Sequence, residues 1–172
     1  MFVILLRGRK MSLKKLLMAL FIGIALAGCS TTSNIDLVNQ DSMTSNFSVN
    51  SVTAKNESGE SFEIDIESLL ETAVNQELSK QGLSNRGGPS YALQVSIIQY
   101  KEGNAFARWM MPGMGKTVLS VEAILTNETG VAVAQSQATR SIGAGGGYTI
   151  NAWSRVFNQV AEQLVEDLAS VR

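Results

Sequence analysis

Few side chains in this 172-residue sequence could carry chemistry, and the types that are missing narrow the choice first. There is no His, which excludes a Ser-His-Asp or Cys-His nucleophile, a His-ligated zinc or haem, and an imidazole proton shuttle near neutral pH. Cys29 is the sole thiol, so neither an intrachain disulfide nor a thiolate-cluster metal site can form. Carboxylates remain, and a hydrolase of envelope glycan or lipid would need two of them held at a defined separation in a cleft. Outside one acidic helical stretch the candidates are Glu102, Glu122 and Glu128, which fall on or beside separate strands. Gly115-Lys116-Thr117 has the ending of a P-loop, but Met110 stands where its first Gly should be and a strand pattern follows, so neither a nucleotide nor any other cofactor is expected. The Gly143, Gly145, Gly146 and Gly147 stretch could hold an anion on backbone amides at a helix start, although a flexible strand-to-helix connection is the simpler reading. With 17% charged residues, the basic footprint of a nucleic-acid binder is missing.

Charge is distributed in two blocks. The first 28 residues hold Arg7, Arg9, Lys10, Lys14 and Lys15 and no acid, whereas Cys29 to Arg172 carries nine basic and fifteen acidic groups, a formal charge of −6 over a length that suits one domain. Met11-Ser12-Leu13-Lys14-Lys15 followed by the apolar run Leu16 to Ala27 reads as an export signal, with Met11 the expected start because Phe2 to Leu6 would put an apolar patch ahead of the basic residues. A twelve-residue apolar helix reaches about 18 Å, well short of a bilayer core of about 30 Å.

That run ends in Leu26-Ala27-Gly28-Cys29, which resembles the lipobox of bacterial lipoproteins. The resemblance implies cleavage before Cys29, diacylation of its sulfur and acylation of its new amine. Several acyl chains anchor stably where a single one is marginal. Ser30 at the second mature position, in place of the Asp that retains such proteins at the inner membrane, implies sorting to the outer membrane. The expected organisation is a signal peptide over 1–28, a lipidated polar tether over 29–46 and one domain over 47–172.

The elements that must position any site follow from apolar spacing. Ser30 to Asn46 is polar and rich in Ser, Thr and Asn, as a mostly extended tether would be. Phe47, Val49 and Val52 suggest a strand with one irregularity. Ile66, Leu69, Leu70, Ala73, Val74 and Leu78 recur at helical spacing, with Gly82 as the stop. Glu63, Asp65, Glu67 and Glu71 favour the start of that helix, so the acidic cluster reads as helix stabilisation and not as a catalytic pair. Alternation marks strands at Tyr91 to Tyr100 and Thr117 to Thr126; Asn127-Glu128-Thr129-Gly130 then turns the chain into a strand of small and polar residues, Val131 to Ser141. From Asn151 to Val171 the residues Trp153, Val156, Phe157, Val160, Leu164, Leu168 and Val171 form one helical stripe, with Arg155, Gln159, Glu162, Gln163, Glu166 and Asp167 facing away. The predicted fold is α+β: a two-layer sandwich in the order β-α-β-β-β-α, with a mostly antiparallel four-stranded sheet and two helices on one face.

One loop does not fit the role of a plain connection. Arg108, Trp109, Met110, Met111, Met114 and Lys116 crowd into a segment that Pro112, Gly113 and Gly115 keep irregular. Such residues either fold back over an open edge of the core or form an adaptable apolar surface for a protein partner or the membrane.

Tyr91, Tyr100, Arg108, Gly113, Gly115, Lys116, Thr117, Thr129 and Gly130 together resemble a group of Gram-negative envelope lipoproteins of no assigned activity, over about Phe62 to Arg172. The predicted fold also looks like the TolB amino-terminal domain and periplasmic parts of outer-membrane secretion lipoproteins. These resemblances imply assembly or partner binding and no catalysis. The expectation is therefore a lipid-anchored outer-membrane protein facing the periplasm, not an enzyme, that binds an envelope protein through the 108–116 loop or a sheet edge. The alternatives are a carboxylate-dependent hydrolase and a carrier of a small apolar ligand.

Overall fold

A computed structural model describes residues 31–39, 46–84, 87–104, 106–107, 114–143 and 152–170. The elements are β1 (Thr31–Leu37), β2 (Ser48–Asn56), α1 (Ile66–Lys80), β3 (Ser90–Lys101), β4 (Thr117–Thr126), β5 (Ala132–Ile142) and α2 (Ala152–Ser170). They form a five-stranded sheet in the order β1-β5-β4-β3-β2, antiparallel except for the parallel β2–β3 pair, with α1 and α2 against each other and against the sheet.

One expectation about the sheet changes. It has five strands, not four, because residues 31–37 of the expected tether pair with β5, Thr31 opposite Arg140 and Leu37 opposite Ala134. The segment is extended as read, but a run of Ser, Thr and Asn with only Ile35 and Leu37 as apolar residues carries no strand signature of its own. Backbone pairing with a partner distant in sequence supplies what composition does not show. The irregularity in β2 is a bulge between Val49 and Ser51, where the register on β3 shifts.

Helix α1 carries its signals in the sequence. Asp65 caps it, its carboxylate accepting from Ser68 N at 2.9 Å. Gly82 ends it in the left-handed conformation (φ +61°), with Leu83 N donating to Leu78 O and Gly82 N to Ser79 O, the paired bonds of a Schellman motif. Leu83 then drops into the core beside Leu70, Val74 and Leu78.

The core fills the space between the helices and one face of the sheet. Leu119, Val121, Ala123 and Leu125 of β4 point into it, with Tyr91, Leu93, Val95 and Ile97 of β3 beside them. In the middle of β5 the inward residues are small, Ala134, Ser136 and Ala138, which leaves room for α2 and its Ala161, Leu164 and Val165 to come close. The other face of the sheet is mixed: Thr53, Gln94, Ser120, Glu122, Gln137 and Thr139 share it with Val118 and exposed Ile124.

The polar side of α2 needs correction. Asp167 does not face away: it is 9% exposed, accepts from Ser136 Oγ at 2.8 Å and from Gln163 Nε2 at 2.9 Å, and Gln163 in turn accepts from Arg140 Nη2. These residues tie α2 to β5. On a helix of period 3.6, Asp167 follows Leu164 by three and Val160 by seven, so it falls at the border of the apolar stripe, with Gln163 four positions before it on the same side; the hydroxyl on β5 gives Asp167 an inward partner. Asp167→Ala leaves the buried Ser136 hydroxyl without its acceptor and is expected to cost about 2 kcal/mol in chemical denaturation, with Asp167→Asn costing less. Equal, negligible losses would show the network to be unimportant.

Candidate functional site at one end of the sheet

The register gathers several segments at one end. Thr31 lies opposite Arg140, Thr117 opposite Ile142, Lys101 opposite Val118 and Asn56 opposite Ile97. The start of β1, the end of β5, the start of β4 and the ends of β3 and β2 therefore share this end. The β3–β4 connection opens from it, as do the residues that precede β1 and those that follow β5.

Some of the connection is built from identifiable contacts. Gly103 N donates to Thr117 Oγ1 at 3.1 Å, and Ala107 N to Asn104 Oδ1 at 3.0 Å. Phe106 is 64% exposed and Met114 53% exposed; Gly115 has φ +66°, and Lys116 is exposed, its side chain running over Gly143. Thr117 begins β4, so a strand and not a helix follows Gly115-Lys116. Of the residues singled out in the sequence, Met114 and Lys116 thus stand at this end. Cys29, Arg108, Trp109, Met110 and Met111 lie outside the described residues, as do Gly145, Gly146 and Gly147.

Beneath this end lies an aromatic cluster. Tyr100 meets Phe62 edge-on at 5.1 Å and Phe157 at 5.4 Å. Its hydroxyl is buried with no hydrogen-bond partner among the described residues, and burial, reinforced by the Glu102 charge, pushes its pKa up to about 12.

The carboxylates are dispersed. Glu122 lies on the open face and accepts from Gln137 Nε2 at 3.1 Å. Glu128 sits in the β4–β5 hairpin at the far end, accepting from Ser90 N at 3.1 Å, while Glu102 follows β3 at the near end. The twelve residues of β3 put about 35 Å between those ends, whereas paired glycosidase carboxylates stand within about 10 Å. On α1, Glu71 Oε1 accepts from Ala54 N at 2.8 Å and Glu67 Oε1 from Asn56 N at 2.6 Å. Two strand residues span about 6.8 Å and four helix residues about 6 Å, so the i, i+4 glutamates match alternate amides on the outer edge of β2. That spacing is in the sequence; which edge it faces is not. Two surface grooves beside α1, of about 630 and 350 Å³, are lined largely by polar residues such as Gln76, Ser79, Lys80 and Glu162.

Fold and site define a two-layer α+β domain whose distinguishing surface is the end that carries the β3–β4 connection. The chain belongs to the family DUF4410, a domain of unknown function, whose model matches residues 29–146. None of the curated proteins matches it. Among solved structures it is similar to the PelC dodecamer from Paraburkholderia phytofirmans in two crystal forms, one of a point variant, each at 14% identity and TM-score 0.56 over 80% of this chain and 98% of that one. A candidate lipoprotein from Caulobacter crescentus matches at 16% identity and TM-score 0.46, over 69% and 88% of the two chains. At such identities the likeness to PelC is one of fold.

The unpartnered Tyr100 hydroxyl yields a test. Its folded pKa is raised, so its contribution to stability is fully present below pH 10 and is lost as pH rises toward 12. Tyr100→Phe is expected to flatten that alkaline decline and to raise stability at neutral pH by about 1 kcal/mol. Destabilisation at neutral pH would reveal a hydrogen bond to the hydroxyl.

Proposed function

We propose that this protein is an outer-membrane lipoprotein, acylated on Cys29, whose periplasmic domain binds an envelope protein and is not an enzyme. The observation that carries the reading is positional: every described element lies C-terminal to Cys29, so cleavage before Cys29 leaves the five-stranded sheet and both helices whole. The family match, which begins at Cys29 itself, supports the same division. Against a hydrolase, the strand and loop carboxylates lie far apart, and Glu67 and Glu71 serve the edge of β2. PelC builds a dodecamer on a similar fold, a precedent for assembly.

Of the two protein-binding surfaces that the sequence offered, the sheet edge is the better supported. The edge at β2 is occupied by the α1 carboxylates, so among the described residues the β1 side is the one open to a partner. Leu37 and Val38, exposed at the end of β1, stand near exposed Val131 of the β4–β5 hairpin, with Val38 N donating to Val133 O.

Metabolic labelling with a fatty acid and fractionation of the envelope test the anchor. The wild-type chain should carry label in the outer membrane, and Cys29→Ser should be unlabelled and leave that fraction; an unlabelled wild type would overturn the reading. A photoreactive residue at Val38 should give a discrete protein adduct in cells. No adduct there would remove the β1 edge as the docking surface.

A further inference from the structure

We infer that the sheet end bearing Phe106 and Met114 rests directly on the lipid surface, as a second, non-covalent membrane contact that stands the domain end-on at the bilayer. The inference depends on acylation of Cys29. One residue, Ser30, separates Cys29 from Thr31, the first paired residue of β1, so the chain length allows the acylated residue to stand no more than about 7 Å from the end of the sheet. A free tether from Ser30 to Asn46 would instead have allowed the domain to stand off by up to about 60 Å. Pairing of β1 with β5 removes that leash and brings one particular end to the membrane.

That end bears the two most exposed large apolar side chains among the described residues, Phe106 at 64% and Met114 at 53%. Both belong to the β3–β4 connection, whereas the acylated residue precedes β1; in the order β1-β5-β4-β3 the two points lie two to three strand spacings apart, about 12 Å. Contacts so separated fix an orientation that an acyl anchor alone would leave free. Exposed Lys101 and Lys116 flank the connection, with Glu102 the acid beside them, and suit an anionic lipid surface. Glu57, Glu60 and Glu63 lie on the β2–α1 connection, which opens from the same end but beside β2, the strand farthest in the sheet from the anchor. The apolar residues of the opposite end, Leu37, Val38 and Val131, then face the periplasm.

Acylation consumes the only thiol, so a new cysteine is the one labelling site in the mature lipoprotein. Full-length Met114→Cys and Val131→Cys proteins, purified in acylated form as verified by mass, carry a fluorophore at the new thiol. They are placed in vesicles of phosphatidylethanolamine and phosphatidylglycerol containing a lipid-borne quencher. Emission from position 114 should fall several-fold more than emission from position 131, and position 114 should resist an aqueous quencher. Replacing Phe106 with Ser in the Met114→Cys protein should reduce the lipid quenching. Equal quenching at both positions would overturn the inference, as would protection of position 114 in cells but not in protein-free vesicles, which would make the connection a protein-binding surface. A chain that carries no acyl group fails the anchor reading instead, and the mass measurement separates that result from the others.

Discussion

The pairing of β1 with β5 is the contact on which the rest of the arrangement depends. It spans seven residues and closes the side of β5, which would otherwise be the edge of the sheet. The inward side chains in the middle of β5 are small, so α2 sits close to the sheet, and it reaches β1 as well. Ile35 adds partly buried apolar surface to the core, but most of what β1 gains is backbone hydrogen bonding in a place prepared by other elements. The same pairing decides where the residues before Thr31 emerge, and so which end of the domain a lipid on Cys29 would draw to the membrane.

Five of the acidic residues are committed to structure. Asp65 caps α1; Glu67 and Glu71 satisfy amides on the exposed edge of β2; Glu128 fastens the hairpin to the start of β3; Asp167 joins α2 to β5. Each accepts from a donor that would otherwise be left to solvent or left unpaired, and the bonds to edge amides also hinder addition of a foreign strand at β2. The two edges of the sheet are therefore unlike, one occupied by side chains from α1 and the other formed by the strand nearest the proposed anchor. On the reading proposed here, that asymmetry assigns the ends and edges of one small domain to different tasks: lipid at the β3–β4 connection, protein along β1.

The sequence by itself determined the local elements, because short-range physics writes them directly. Alternation along Tyr91 to Tyr100 and Thr117 to Thr126, helical spacing from Ile66 to Leu78, the Gly82 stop and the Asn127 to Gly130 turn all reappear in the structure, the last with Asn127 Oδ1 accepting from Thr129 N and Val131 N. Tertiary structure decided what depends on partners distant in the chain: that the polar residues 31–37 are a strand, that Asp167 turns inward to Ser136, and that Glu67 and Glu71 meet the edge of β2. None of these has a local apolar period to betray it. Each is stabilised by a hydrogen-bond donor or acceptor that folding brings within 3 Å from elsewhere in the sequence, and no spacing along the chain reveals which one.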